Sequence, residues 1–169
     1  MAAIIQPNGD TVNGFKRQAL QRLSAMSKAT AASILAIAPA KAARLQTPFQ
    51  WLALIRDKLP ASVIDTVTGE TGISQAELLR CLGLVERTIG RRKQLNESLS
   101  QEETEKLVRF ARIVERAAQV FQGVEAAMDW LRSENPSLEK FRPIDLLDAD
   151  LGGELAIDAL ARIEQGIFL

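Results

Sequence analysis

The stretch SQEETEKLVRFARIVERAAQVF, Ser100 to Phe121, decides the fold class. Leu107, Phe110, Ala111, Val114, Ala117, Ala118 and Phe121 recur at spacings of three and four, which puts them on one face of a helix. Ser100 and Glu103 stand in capping-box register at its start, where hydroxyl and carboxylate can satisfy orphan amides of the first turn. A stripe this long predicts either the core of a helical domain or a dimer seam.

Helical signals continue on both sides. Toward the N-terminus, Ser74 and Glu77 form a second box before Leu78, Leu79 and Leu82. Gly83 breaks that helix, and Leu84-Val85 lead into another from about Glu86 to Leu95. Earlier still, Phe49, Leu52 and Ile55 repeat up to Leu59-Pro60, followed by a short helix from Ala61 to Val67 stopped by Gly69 and Gly72. Toward the C-terminus, Gly123 interrupts the long helix, and a shorter one carries Ala126, Ala127, Trp130 and Leu131 as far as Asn135-Pro136. Phe141 opens a turn and short helix, Gly152-Gly153 reads as a break, and Glu154 to Gln165 as a last helix stopped by Gly166. Strand signals are nearly missing, with no Tyr and few β-branched clusters, so the expected class is all-α.

Composition narrows the chemistry. With 169 residues, 47% hydrophobic and 25% charged, the chain has the material for an ordinary core. It has no His and one Cys, Cys81, which removes the usual routes to a transition-metal site, a His-based triad or an internal disulfide. No catalytic residue, metal ligand or cofactor site is therefore expected. Asp145, Asp148, Asp150 and Asp158 read as caps and solvated faces rather than paired acids. The net charge of zero hides a split, +7 over residues 1–96 and −7 over residues 97–169, as when a phosphate-facing segment is joined to one with another task. Near the start, Lys16, Arg17, Arg22 and Lys28 precede the apolar run Ala29 to Ala38. That run is too short to span a bilayer, and Pro39 disfavours cleavage after Ala38. The segment reads as an Ala-rich helix from about Phe15 to Ile37, loosely attached, in a cytoplasmic protein with no membrane contact.

Ser74 to Leu95 has the layout of a helix-turn-helix. Ile89 falls inward with Leu82 and Leu84, leaving Arg87, Thr88, Arg91 and Arg92 outward to meet base edges, with Lys93 for phosphates. Leu79 departs from the pattern. A small residue is usual there, and a leucine is expected to spread the two helices.

Beyond the long helix come Glu125-Ala-Ala-Met-Asp-Trp-Leu-Arg132, Asn135-Pro136, Phe141-Arg-Pro-Ile-Asp-Leu-Leu147, Gly152 and Leu160-Ala-Arg-Ile-Glu-Gln-Gly-Ile-Phe168. This order resembles the toxin-binding domain of the MbcA/ParS/Xre antitoxins. The resemblance covers roughly Phe49 to Leu169, and Arg87-Thr88 matches the pair that opens the family's recognition helix. It implies an antitoxin of a type II toxin-antitoxin pair whose cognate partner is a RES-domain toxin, an enzyme that consumes NAD or transfers ADP-ribose from it. It also implies that the C-terminal end blocks the toxin's active site and that the helix-turn-helix represses the chain's own operon.

The expected layout is an N-terminal extension over residues 1–47, a helix-turn-helix DNA-binding domain over 48–98, and a dimerisation and toxin-binding domain over 99–169. Expected toxin contacts are Arg142, Pro143, Ile144, Leu147, Arg162, Ile163, Glu164, Gly166, Ile167, Phe168 and Leu169. The Arg142-Pro143 turn orders Ile144, Leu146 and Leu147, while Gly166 releases three large hydrophobes that need a pocket. A two-fold operator requires two recognition helices, hence an expected homodimer. The rival reading is a stand-alone helix-turn-helix transcription regulator whose C-terminal domain only dimerises.

Overall fold

A computed structural model describes residues 30–37, 45 and 47–166. Among them are eight α-helices: α1 (Ala31–Ile34), α2 (Pro48–Asp57), α3 (Val63–Thr71), α4 (Gln75–Cys81), α5 (Glu86–Gln94), α6 (Gln101–Phe121), α7 (Val124–Arg132) and α8 (Asp150–Glu164). Two 3-10 turns, Pro136–Leu138 and Pro143–Leu146, join α7 to α8. The described residues form no strand beyond one isolated bridge between Pro60 and Ser98.

Helix α6 is the axis of the molecule. Its expected capping box is present, with the Glu103 amide donating to Ser100 Oγ at 3.1 Å and the Ser100 amide to Glu103 Oε2 at 2.6 Å. Leu107, Phe110, Ala111, Val114 and Ala117 are all fully buried, and α1, α2, α7 and α8 pack around them. The stripe is therefore core, and these five side chains are not available as a dimer seam. Ala118 and Phe121, partly buried, extend it, and the Phe121 ring meets Trp130 of α7 at 5.7 Å between centroids. A buried stem joins α2 to the start of α6. The Leu59 amide donates to Thr104 Oγ1, and the Leu99 amide to the Leu59 carbonyl at 2.8 Å.

Three expectations need correction. The described part of the N-terminal region is not loosely attached: Ala31, Ile34 and Leu35 are at most 2% exposed, packed against α3 and α6. Thr30 caps α1 in an extended conformation, so the helix starts there rather than running through from Phe15. The Glu115 carboxyl of α6 is hydrogen-bonded at the Ala31 backbone, and burial raises its pKa. Residues 1–29 lie outside the described residues. Second, α3 runs through Gly69 to Thr71 because Val63, Ile64, Val67 and Thr71 bury one continuous face. One interior Gly costs about 1 kcal/mol, less than that burial contributes. The helix stops at Gly72, whose φ of +64° is the left-handed C-cap.

Third, Gly152-Gly153 is not a break. Both residues lie in the first turn of α8, buried. A Cβ on Gly152 would sit 1.7 Å from the Leu146 carbonyl oxygen, and one on Gly153 2.9 Å from Arg109 Cδ. These glycines let α8 press against the preceding turn and α6. Close approach, not flexibility, is what they supply.

Candidate functional site

Two surfaces hold the residues expected to act. The first is built by α4 and α5. Ser74 Oγ accepts from the Glu77 amide to start α4, and Gly83, at φ +60°, turns the chain. The Leu84 amide reaches back to the Leu79 carbonyl at 2.8 Å. Leu79 itself is buried within the core, so the helix pair accommodates its bulk and the turn still closes. Ile89 is fully buried, anchoring α5 as its spacing implied.

The cations of α5 divide into two groups. Arg87 and Arg91 are exposed and Thr88 is partly so, and Arg91 comes no nearer than 4.0 Å to Glu97. Arg92, expected outward, is instead paired with Glu103 of α6 and reaches the Ser98 carbonyl. Lys93 pairs with Asp65 of α3 and donates to Gln75 Oε1 at 3.0 Å. The reason is helical phase: positions 92 and 93, three and four after Ile89, share its inward side. The same phase places exposed Gln94 in line with Arg87 and Arg91, at i, i+4 and i+7, which the sequence reading missed although the spacing was there. A Gln side chain can make a bidentate contact to adenine. Exposed Val85 begins the helix.

The second surface is C-terminal. Pro143 occupies the first position of its 3-10 turn, buried, and Ile144 and Leu147 are fully buried in the main core. These three expected contacts thus shape the surface from beneath. Arg142 stays partly exposed, held to Asp145 at 2.6 and 2.8 Å, and that hydrogen bond pushes the guanidinium pKa further up. Asn135 Oδ1 accepts from the Ser137 amide and hydroxyl, which fixes the Asn-Pro turn. On α8, Arg162 is exposed, Ile163 is partly buried, and Glu164 pairs with Arg116 of α6. Gly166 is exposed with φ +71°, while Ile167, Phe168 and Leu169 lie outside the described residues. Arg109 pairs with Asp150 and donates to the Leu147 carbonyl, tying the start of α8 to α6.

The two surfaces share one frame. Arg132 of α7 donates to both carboxylate oxygens of Glu77 on α4, at 3.2 and 3.1 Å, and to the Gly72 carbonyl. Cys81 lies inside this frame. Its thiol donates to the Leu78 carbonyl, and burial pushes its pKa up to about 12, so a reactive thiolate is not available near neutral pH.

Residues 50–112 match the family described as antitoxin Xre-like helix-turn-helix domain. Residues 116–166 match the antitoxin Xre/MbcA/ParS C-terminal toxin-binding domain. The chain is similar to a Yersinia enterocolitica protein named antitoxin Xre, 31% identical over 107 residues, covering 63% of this chain and 72% of that protein. A Photorhabdus laumondii protein of the same name is 25% identical over 68% of this chain and 78% of its own length. A Sphingobium protein named Prs ADP-ribosylating antitoxin is 27% identical over 76% and 86%. A helix-turn-helix domain and a toxin-binding domain, matched in order and built around one long helix, make this chain a member of the Xre/MbcA/ParS antitoxin family.

Proposed function

We propose that this antitoxin neutralises a RES-domain toxin, one that consumes NAD or transfers ADP-ribose from it, by placing its C-terminal segment in the toxin's active site. The observation that carries this is the end of α8. Gly166, in the left-handed conformation, turns the chain out of the helix directly before the apolar run Ile167-Phe168-Leu169. A name mentioning ADP-ribosylation on a relative aligned over 86% of its length supports the toxin class. Inhibition on this reading is steric, and the chain itself is not an enzyme. Arg162, Ile163 and Glu164 bring the segment to the pocket, over a base formed by Arg142, Pro143, Ile144 and Leu147.

The helix-turn-helix represses the chain's own operon in the cytoplasm, with Arg87, Thr88, Arg91 and Gln94 toward the major groove. Arg92 and Lys93 hold that helix in place. Repression of a two-fold operator needs a homodimer. With the α6 stripe consumed in the core, Phe49 and Leu52, 83% and 40% exposed on α2, are the apolar pair offered for it.

The test is deletion of Gly166 to Leu169. Cells expressing the toxin encoded beside this gene lose protection, while promoter binding in a shift assay is kept. Full protection by the shortened chain overturns the occlusion mechanism. A harmless neighbouring gene product favours the stand-alone regulator instead.

A further inference from the structure

Helix α8 is built with its small residues inside and its large ones outside. Gly152, Gly153, Ala156 and Ala159 fill the buried side with Leu160. Leu151 and Leu155, one turn apart, are 65% and 43% exposed. Exposed Asp158 and Arg162 continue their line at the same helical period. The glycines and alanines account for close packing on α6, but Leu151 and Leu155 do nothing for the core, and paired leucines facing water mark an interaction surface.

The charges around the pair say what kind of partner fits. Asp150 is neutralised by Arg109, and Glu164 by Arg116. Glu154 and Asp158, on the same helix, are exposed and take part in no ion pair among the described residues. Against these two acids α8 itself carries one exposed cation, Arg162, so two copies meeting through this face would bring like charges together, whereas a protein with a basic rim would be drawn to it. The face lies in the matched toxin-binding domain and runs toward the C-terminal segment, about 14 Å of helix separating Leu155 from Glu164, two residues before Gly166.

We infer that Leu151 and Leu155 form a docking surface for the toxin, fitted to an apolar patch with a basic rim, so that anchoring and active-site occlusion are carried by different residues. This rests on the toxin-neutralising reading above. The experiment measures binding of the full chain to the purified toxin encoded beside it, by calorimetry, together with inhibition of NAD turnover. A Leu151→Asp/Leu155→Asp double variant is expected to bind at least about 100-fold more weakly, with an unchanged melting temperature because neither side chain enters the core. Deleting Gly166 to Leu169 is expected to leave affinity within about 10-fold while turnover resumes. A Leu151→Ala/Leu155→Ala variant serves as the milder form should the aspartates disturb folding. Equal binding by these variants overturns the inference alone, as does complete loss of binding on tail deletion. So does a shift of the isolated variant to lower mass on a sizing column, which would make the face a contact between copies. No binding by the unaltered chain overturns the toxin reading and this inference with it.

Discussion

Helices α5 and α8 are both tied to α6 by an arginine–carboxylate pair, Arg92–Glu103 in one case and Arg109–Asp150 in the other. Their outer sides differ in kind. On α5 the outward line is Arg87, Arg91 and Gln94, with no large apolar side chain among them, while on α8 it begins with Leu151 and Leu155. Long-range charge suits a polyanion, which is attracted before contact and read by hydrogen bonds. Buried leucine area suits a folded protein, because the gain appears only when water leaves both surfaces. The inner sides are where the fold is made, and the two helices make it differently. Helix α5 uses one buried isoleucine and two clamped cations, and α8 uses residues small enough to let backbones touch.

The largest effect should come from the inner side of α8. Gly152→Ala puts a methyl into the Leu146 carbonyl and is expected to cost roughly 3–5 kcal/mol, measured by urea unfolding. Gly69→Ala, on a helix where nothing approaches, should instead stabilise by about 0.5–1 kcal/mol. If the two variants behaved alike, close approach would not be the reason for the α8 glycine. Next is the shared platform itself. Ile34→Ala should cost about 2–4 kcal/mol by the same measurement, since Ile34 is 1% exposed. A loss below about 0.5 kcal/mol would return α1 to the status of a loose appendage. The smallest stability effect sharpens the division within α5. Arg92→Ala should lower stability by about 1–3 kcal/mol through the stranded Glu103, while Arg91→Ala should leave stability within about 0.5 kcal/mol. In a promoter-binding assay Arg91→Ala should weaken binding by an amount equivalent to about 1–3 kcal/mol. The opposite ranking in unfolding would dissolve the distinction between clamped and exposed cations.

Much of this was legible in residue order. The period of Ser100 to Phe121, the Ser100–Glu103 capping box, the Ser74 cap and the Gly83 turn all rest on interactions within four residues, and each appears where its spacing indicates. The second box forms only by half, because the Glu77 carboxylate turns to Arg132 of α7. The site was less legible. Arg92 was expected outward to meet base edges although it stands three residues after the inward Ile89; that phase is local, but its partner Glu103, eleven residues on in another helix, has no local signal. Pro143, Ile144 and Leu147 were expected as contacts because they sit in a specific motif, but specificity of pattern there reflects packing. Leu151 was passed over because Gly152-Gly153 looked like the end of order rather than the start of a helix.

Sequence alone determined the all-α class, the helix-turn-helix, its pairing with a toxin-binding domain, and the family. Those follow from short-range periodicity and from motifs short enough to be contiguous. The tertiary structure decided whether the α6 stripe is core or seam, which cations of α5 stay exposed, what the α8 glycines are for, and which leucines remain uncovered. Each of these depends on a neighbour distant in sequence, such as Glu103 for Arg92, Arg109 for Gly153 or Glu115 for Ala31, and a side chain's surroundings exist only once those chain segments have met.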